Sequence, residues 1–372
     1  MDMLTITISI LILLLVSTIS KAQPPPPEWQ KDINDNNLLY SNRQTFTEGL
    51  LPPIGNGFIS GDGGVLLKDG CFKPSGLADD PYWYFSGCGR VNIAGVFNNG
   101  EGTNDIIPHR ASIPNPHSIY IKNANINLGT ALDIKHNFFY NKSTVTCLND
   151  KTLKVNVTLT QYMHRLYHQL QVLQFEMDDT HINDNNNINC QIELQPVQYE
   201  TYEYDFIVNN SISSTTAKHL TVKLMEEPPA NSTMKPVLPT AIAQVFDQVP
   251  TVITLSNNNN NNNDNNNNNN VNTFLAVYKT TIEKTKDVLD TNKILEKAKK
   301  ELEFFSTIPS DKLKEQHIDA WDKMFQSGID IQGNATVAKT VNSSLSYILS
   351  AIREDQPFGL SPGGLARGDY NG

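Results

Sequence analysis

From about Leu38 to Ile282 the chain consists of short runs rich in Val, Ile, Thr and Tyr, each broken by clusters of Gly, Pro or Asn. This texture confines most of the molecule to a mainly β fold. Clear runs are Ser118 to Ile121, Leu153 to Tyr162, Gln169 to Met177, Asn189 to Leu194, His219 to Met225 and Thr251 to Leu255. Leu153 to Thr160 alternates apolar and polar residues, as a strand with one buried face requires. Many short strands with such turns predict a large antiparallel β-sandwich over residues 38–284.

The texture then changes. Thr291 to Ser306 and Ser310 to Gln326 have helical spacing. Leu295, Ala298 and Leu302 share one face, and Leu313, His317, Ala320 and Met324 share another. Ser310-Asp311 after Pro309 marks a helix start. Residues 285–330 are expected as a helical linker, with a short strand at Ile329 to Ile331. Ala335 to Arg353 predicts a longer helix with Val337, Val341, Leu345, Ile348 and Ile352 inward. A Gly/Pro-rich loop, Gly359 to Gly372, follows. Such loops carry function more often than packing.

Leu4 to Ile19 is nearly all apolar and precedes Ser20-Lys21-Ala22, which predicts a signal peptide over residues 1–22 and a secreted or endo-lysosomal destination. Asp2 is the one charge before the run, and an uncleaved anchor is the rival reading. A Pro-rich spacer is expected over 23–37. Asn257 to Asn270 is an asparagine tract broken by Asp264. It predicts a disordered insertion at a hairpin tip, and Asp178 to Asn187 reads as a smaller one.

The net charge of −10 argues against nucleic acid and against an anionic membrane surface as partners. Of the four cysteines, Cys71 and Cys88 flank an aromatic loop and are the candidate disulfide; free thiols are the alternative. Their spacing fits no zinc pattern. Asn-x-Ser/Thr sites at Asn141, Asn156, Asn209, Asn231, Asn334 and Asn342 are candidate glycosylation positions.

Several segments then line up in order. They are Pro53-Ile54-Gly55-Asn56-Gly57-Phe58, Ala94 to Gly100, Pro108-His109-Arg110-Ala111 through Pro116, and His317 to Trp321. The last is Gly359-Leu360-Ser361-Pro362-Gly363-Gly364-Leu365 leading to Tyr370-Asn371-Gly372. Together they resemble glycoside hydrolase family 65, nearest its branch of acid trehalases and glucosylgalactosylhydroxylysine glucosidases. The resemblance implies a sandwich, a helical linker and, over 331–372, the truncated start of an (α/α)6 catalytic barrel.

The resemblance further implies inverting hydrolysis of an α-linked glucose in a carbohydrate or glycoprotein substrate, with no cofactor and no metal. The catalytic Glu would lie beyond residue 372, so this chain offers no catalytic residue. Asp369, Tyr370 and Arg367 would contact the sugar. Phosphorolysis, in which phosphate replaces water, is the family's other chemistry. An inactive sandwich that only binds glycan or a partner is the non-enzymatic alternative. His109 and Arg110 read as a hydrogen-bonding pair within the sandwich or as a contact near the sugar. His317 and Trp321 read as packing between linker and sandwich. Asp80 to Phe85 reads as aromatic packing or a sugar-stacking loop. Loop and helix carboxylates such as Asp79, Asp105, Glu301, Glu303 and Asp322 read as solvated or capping groups.

Overall fold

Alternation along the strands sorts side chains onto two faces of one large sheet. The computed structural model describes residues 24–35, 37–41, 52–62, 90–98, 109–111, 113–178, 188–196, 207–208, 217–222, 240–257, 271–280, 291–326, 329, 331–355 and 365. Its strands are β1 (Leu38–Ser41), β2 (Pro53–Gly55), β3 (Ile59–Asp62), β4 (Arg90–Ile93), β5 (Phe97–Asn98), β6 (His109–Arg110), β7 (Ile113–Pro114), β8 (Ile119–Ile121) and β9 (Ala124–Asp133). They continue as β10 (Phe138–Thr146), β11 (Lys154–Met163), β12 (Leu170–Met177), β13 (Ile188–Pro196), β14 (Ile207–Val208), β15 (Ala217–Val222), β16 (Thr240–Phe246), β17 (Val252–Asn257) and β18 (Val271–Thr280). The helices are α1 (Gln30–Asn34), α2 (Thr291–Ser306), α3 (Ser310–Phe325) and α4 (Ala335–Ala351).

The protein is mainly β, and its sheets are antiparallel. The large sheet has nine strands in the order β1-β9-β10-β11-β12-β18-β16-β15-β14. Smaller sheets run β17-β13-β8, β2-β3-β4-β7 and β5-β6. On one face of the large sheet, Val157 and Leu159 of β11 with Leu173 and Phe175 of β12 pack on Ile192 and Leu255 of the three-stranded sheet. Farther along that face, Met163, Ile242 and Ala276 meet Ile54, Ile59 and Ile93 of the four-stranded sheet. The residues between them in sequence, Tyr162, Val172, Leu275 and Val277, point the other way, onto Leu295, Ala298 and Phe305 of α2 and Leu313 of α3. Each such side chain, buried fully, contributes about 1.5–3 kcal/mol. The large sheet is therefore a middle layer between small sheets and helices.

Several expectations need correction. The asparagine tract does not join two strands of one hairpin. β17 pairs with β13, whereas β18 pairs with β12 and β16, so the tract connects different sheets; residues 258–270 themselves lie outside the described residues. The expected spacer folds back: Pro27–Trp29 is a turn of 3-10 helix leading into α1. Trp29 is buried with Leu38 and Ala131, its ring edge-on to Tyr40 and tilted over Tyr140. An aromatic anchor, absent from a typical stiff linker, holds this end to the sheet. No strand forms at the described residues 329 and 331.

The inward face of α4 also differs. Ala338, Ser346, Ser350 and Ala351 are buried, while Val337 and Ile348 are exposed. The reason is distance: a Cβ added to Gly55 would sit 2.6 Å from the Ser350 carbonyl oxygen. A helix that close to a strand backbone can present only small side chains.

Among the described residues a disulfide joins Cys147 to Cys190. It ties the end of β10, in the large sheet, to β13, in the three-stranded sheet. The expected partners Cys71 and Cys88 lie outside the described residues, as do the signal segment 1–22 and the aromatic run 80–85.

Candidate functional site

Three short segments converge where the sheets meet α4: the turn after β2, the turn after β11, and the last turn of α4. Asn56 is fully buried in the first. Its Nδ2 donates to the carbonyls of His164 (3.0 Å) and His168 (2.8 Å), and its Oδ1 accepts from the backbone N–H of Phe58 and of Ile59, both at 2.9 Å. Two donors and two acceptor sites are all an amide has, so Asn56 is saturated and locks the two turns together. Gly55 N–H adds a bond to Asn137 Oδ1 at 2.7 Å.

Gly57 adopts φ +84° and its N–H donates to Ser350 O at 2.8 Å. A Cβ there would meet Ile352 O at 2.2 Å. Only glycine combines that backbone with that approach.

Arg165 completes the junction. It is 6% exposed. Its Nη1 donates to Asn56 O (2.8 Å), Leu349 O (2.8 Å) and Ile352 O (3.2 Å). The guanidinium lies 5.2 Å from the centre of the Trp321 ring. A helix leaves its last carbonyls unpaired, and its C-terminus favours a cation. α4 has no basic residue in its last turn. Arg165, from the β11–β12 turn, supplies the missing cap from across the interface. Burial, then the nearby charge of Arg353, lowers the Arg165 pKa to about 10, leaving it cationic at neutral pH.

Histidines extend the junction to α3. Arg165 N–H donates to His317 Nδ1 at 3.0 Å, so His317 carries its proton on Nε2, which faces His136 O at 2.6 Å. His164 is held likewise: Nδ1 accepts from Tyr167 N–H at 3.1 Å, and Nε2 faces Leu313 O at 2.9 Å. Burial keeps both neutral, lowering His164 to about 4 and His317 well below its usual value, the latter helped by His164 beside it. His136 behaves oppositely. Burial opposes its charge, but Asp133 at 2.8 Å and Asp322 at 3.3 Å outweigh that and raise its pKa.

Beside the junction, a groove of about 690 Å³ opens between α4 and the sheet, lined by Leu39, Pro53, Leu132, Ser343, Tyr347 and Ile348 among others. Chain leaving the last turn of α4 passes Arg353, whose Nη1 donates to Arg165 O at 2.6 Å, and Asp355, which pairs with Arg353 Nε at 2.7 Å. The junction thus fixes the root of the Gly/Pro-rich loop. Leu365, within that loop, is buried with Ala94 and Ala351.

Arg367, Asp369 and Tyr370 lie outside the described residues, as do Asp79 and Asp105. His109 and Arg110 form β6, paired with β5. His317 and Trp321 are buried in the junction. Glu301 bonds Gln169 at 2.9 Å and Lys279 at 2.9 Å. Asp322 pairs with Lys135 at 2.6 Å. Both carboxylates are engaged by neighbouring side chains. Arg165 and Arg353 carried no sequence signal; Asn56 had one in its Gly-Asn-Gly setting. Among the described residues no group of His, Cys, Asp and Glu could hold a metal, and no helix is long and apolar enough to cross a membrane.

No family model matches the chain. It is 26% identical over 362 residues to protein-glucosylgalactosylhydroxylysine glucosidase of Dictyostelium discoideum, covering 94% of this chain and 42% of that one. The two are homologous. The fold is similar to that of a human-microbiome protein assigned as a kojibiose phosphorylase, with a TM-score of 0.55 at 12% identity, over 89% of this chain and 44% of that one. The chain spans less than half the length of each of these two proteins.

Proposed function

We propose that the protein is the sandwich-bearing part of an exported enzyme that cleaves an α-linked glucose from a carbohydrate or glycoprotein, in the manner of glycoside hydrolase family 65. The observation that carries this is the 94% coverage of the chain by its similarity to the Dictyostelium glucosidase. A match that long takes in the sheets, the linker helices and α4, not one shared motif. The junction supports it: the Pro53 to Phe58 turn, part of the resemblance, is the segment that receives the end of α4.

In this reading α4 is the first helix of the barrel. The loop after Arg353 runs to the sugar, where Tyr370 stacks on or hydrogen-bonds the ring and Asp369 and Arg367 bind its hydroxyls. The acid is a Glu supplied outside these 372 residues. It protonates the leaving oxygen while base-activated water attacks the anomeric carbon from the opposite face, inverting it. The Cys147–Cys190 bond supports an oxidising compartment and so the export signal at residues 1–22.

The test is an assay of the secreted product of the full transcript on glucosylgalactosylhydroxylysine and on trehalose, with and without phosphate. Glucose release independent of phosphate supports hydrolysis. A sugar phosphate formed only with phosphate present moves the assignment to a phosphorylase. No cleavage of either substrate overturns the enzymatic reading in favour of a glycan-binding sandwich.

A further inference from the structure

We infer that Asn334 is the described sequon that carries an N-linked glycan, and that Asn141 and Asn156 stay bare. The inference rests on the export reading above and adds to it a location. Gln332 to Val337, the chain entering α4 and its first residues, are six consecutive exposed residues. Gly333 has φ +86°, and a Cβ added there would meet nothing within 4 Å, so the chain stands clear of the body at this point.

Asn334 caps α4 with one side of its amide only: Oδ1 accepts from Val337 N–H at 3.1 Å. Its Nδ2, the atom that a glycan would occupy, donates no hydrogen bond within the described residues. The cap and the glycan therefore use different atoms and coexist, and Thr336 at the third sequon position is exposed.

The other described sites lack these properties. Asn141 is buried in β10 between β9 and β11, followed by buried Lys142 and Ser143, and its Oδ1 accepts from Ser143 Oγ at 3.2 Å. Asn156 lies in β11, where it accepts from Thr144 Oγ1 at 2.9 Å, and its sequon partner Thr158 is bound to Asp178 at 3.0 Å. A sugar tree on either would have to displace a paired strand. Asn342 is half-buried within α4, and its sequon serine, Ser344, is bound to Thr340 O at 2.8 Å.

The donor is an oligosaccharide carried on a lipid pyrophosphate in the secretory pathway. Asn334 Nδ2 attacks the first sugar carbon and the Nδ2–C1 bond forms. The C1–O bond to pyrophosphate breaks, the lipid pyrophosphate leaves with the electron pair, and one amide proton passes to base.

The experiment is expression of the full chain in a eukaryotic secretory host, followed by amidase deglycosylation in heavy-oxygen water and peptide mass spectrometry. Labelled aspartate is expected at position 334 and not at 141 or 156. Thr336→Ala, which removes the sequon but keeps the Asn334 cap, should lose one glycan step on a gel without loss of secretion. A secreted, glycosylated chain with position 334 unlabelled, or with 141 or 156 labelled, overturns the site and leaves export standing. A chain retained in the cytosol with no glycan at all overturns the export reading, and the site with it.

Discussion

Arg165 and Arg353 are interlocked: Arg353 donates to the carbonyl of Arg165 at 2.6 Å, and Arg165 donates to the carbonyl of Ile352, the residue before Arg353, at 3.2 Å. The clasp joins the β11–β12 turn to the end of α4. Replacing Arg165 with Met keeps much of the stem but leaves the carbonyl of Leu349 without its side-chain donor and that of Asn56 with only the 3.4 Å bond from Arg353 Nη1. Each such loss is worth about 1–3 kcal/mol. Arg165→Met is expected to destabilise the fold by about 2–4 kcal/mol by urea midpoint. Lys in its place should recover only part of this, because an ammonium cannot match the planar fork. A change below about 0.5 kcal/mol, the range of an ordinary surface substitution, would show that the junction carries little load.

Gly57 and Gly333 form a matched pair, with φ of +84° and +86°. Alanine at Gly333 meets empty space, so it feels only the left-handed strain, about 1–2 kcal/mol. Alanine at Gly57 feels the same strain and also places its Cβ 2.2 Å from Ile352 O. Backbone must move to relieve that contact. Gly57→Ala is expected to be the more destabilising of the two by at least about 1 kcal/mol. Equal thermal shifts for the two variants would mean that α4 is not held as tightly as the geometry states.

Much of the fold was legible where the information is local. Alternation in β11 and the helical spacing and start signal of α3 after Pro309 depend on neighbours in sequence, and the strand and helix lie at Lys154–Met163 and Ser310–Phe325. The junction was not legible, because it is made by partners more than a hundred residues apart: Asn56 with His164, Arg165 with Leu349, His317 with His136. The same holds for Cys147 and Cys190, which only sheet stacking brings together. The face of α4 departs from its periodicity for a related reason. Spacing alone turns the apolar residues inward, but a helix lying on strand backbone is selected for small size, and Ser346 and Ser350 satisfy that better than Val337 or Ile348.

The histidines give the fold a direction with pH. His164 is lowered from 6.5 to about 4 by burial, and His317 is lowered too. Below pH 6.5 the unfolded chain therefore binds protons that the folded chain refuses. Their contribution is complete above that value and is lost as pH falls toward about 4. His136 is raised and opposes this, its bond to Asp133 strengthening as the ring charges. His117 is likewise lowered to about 4 by burial, so three lowered groups outweigh one raised group and the urea midpoint should fall between about pH 6.5 and about pH 4.5. His164→Gln, which retains an N–H donor, should flatten that slope at a modest loss of stability at about pH 7.5. An unchanged slope in the variant would remove His164 as a contributor.

The Cys147–Cys190 bond closes a loop with a sequence separation of 43 and links the large sheet to the three-stranded one. A cross-link of that span restricts the unfolded chain by about 4 kcal/mol in the loop-entropy description. Both sulfurs are buried, so a reductant reaches them only when the sheets separate. Two outcomes are expected together. The double substitution Cys147→Ser, Cys190→Ser should lower the unfolding free energy by about 3–4 kcal/mol. In the native protein, reduction by dithiothreitol should follow the rate of global unfolding and accelerate with added urea. Rapid reduction in buffer with no loss of sheet signal would mean that the sulfurs are reached by local opening of the three-stranded sheet, and that the apolar layer of Leu159, Leu173, Ile192 and Leu255 keeps the strands folded without the bond.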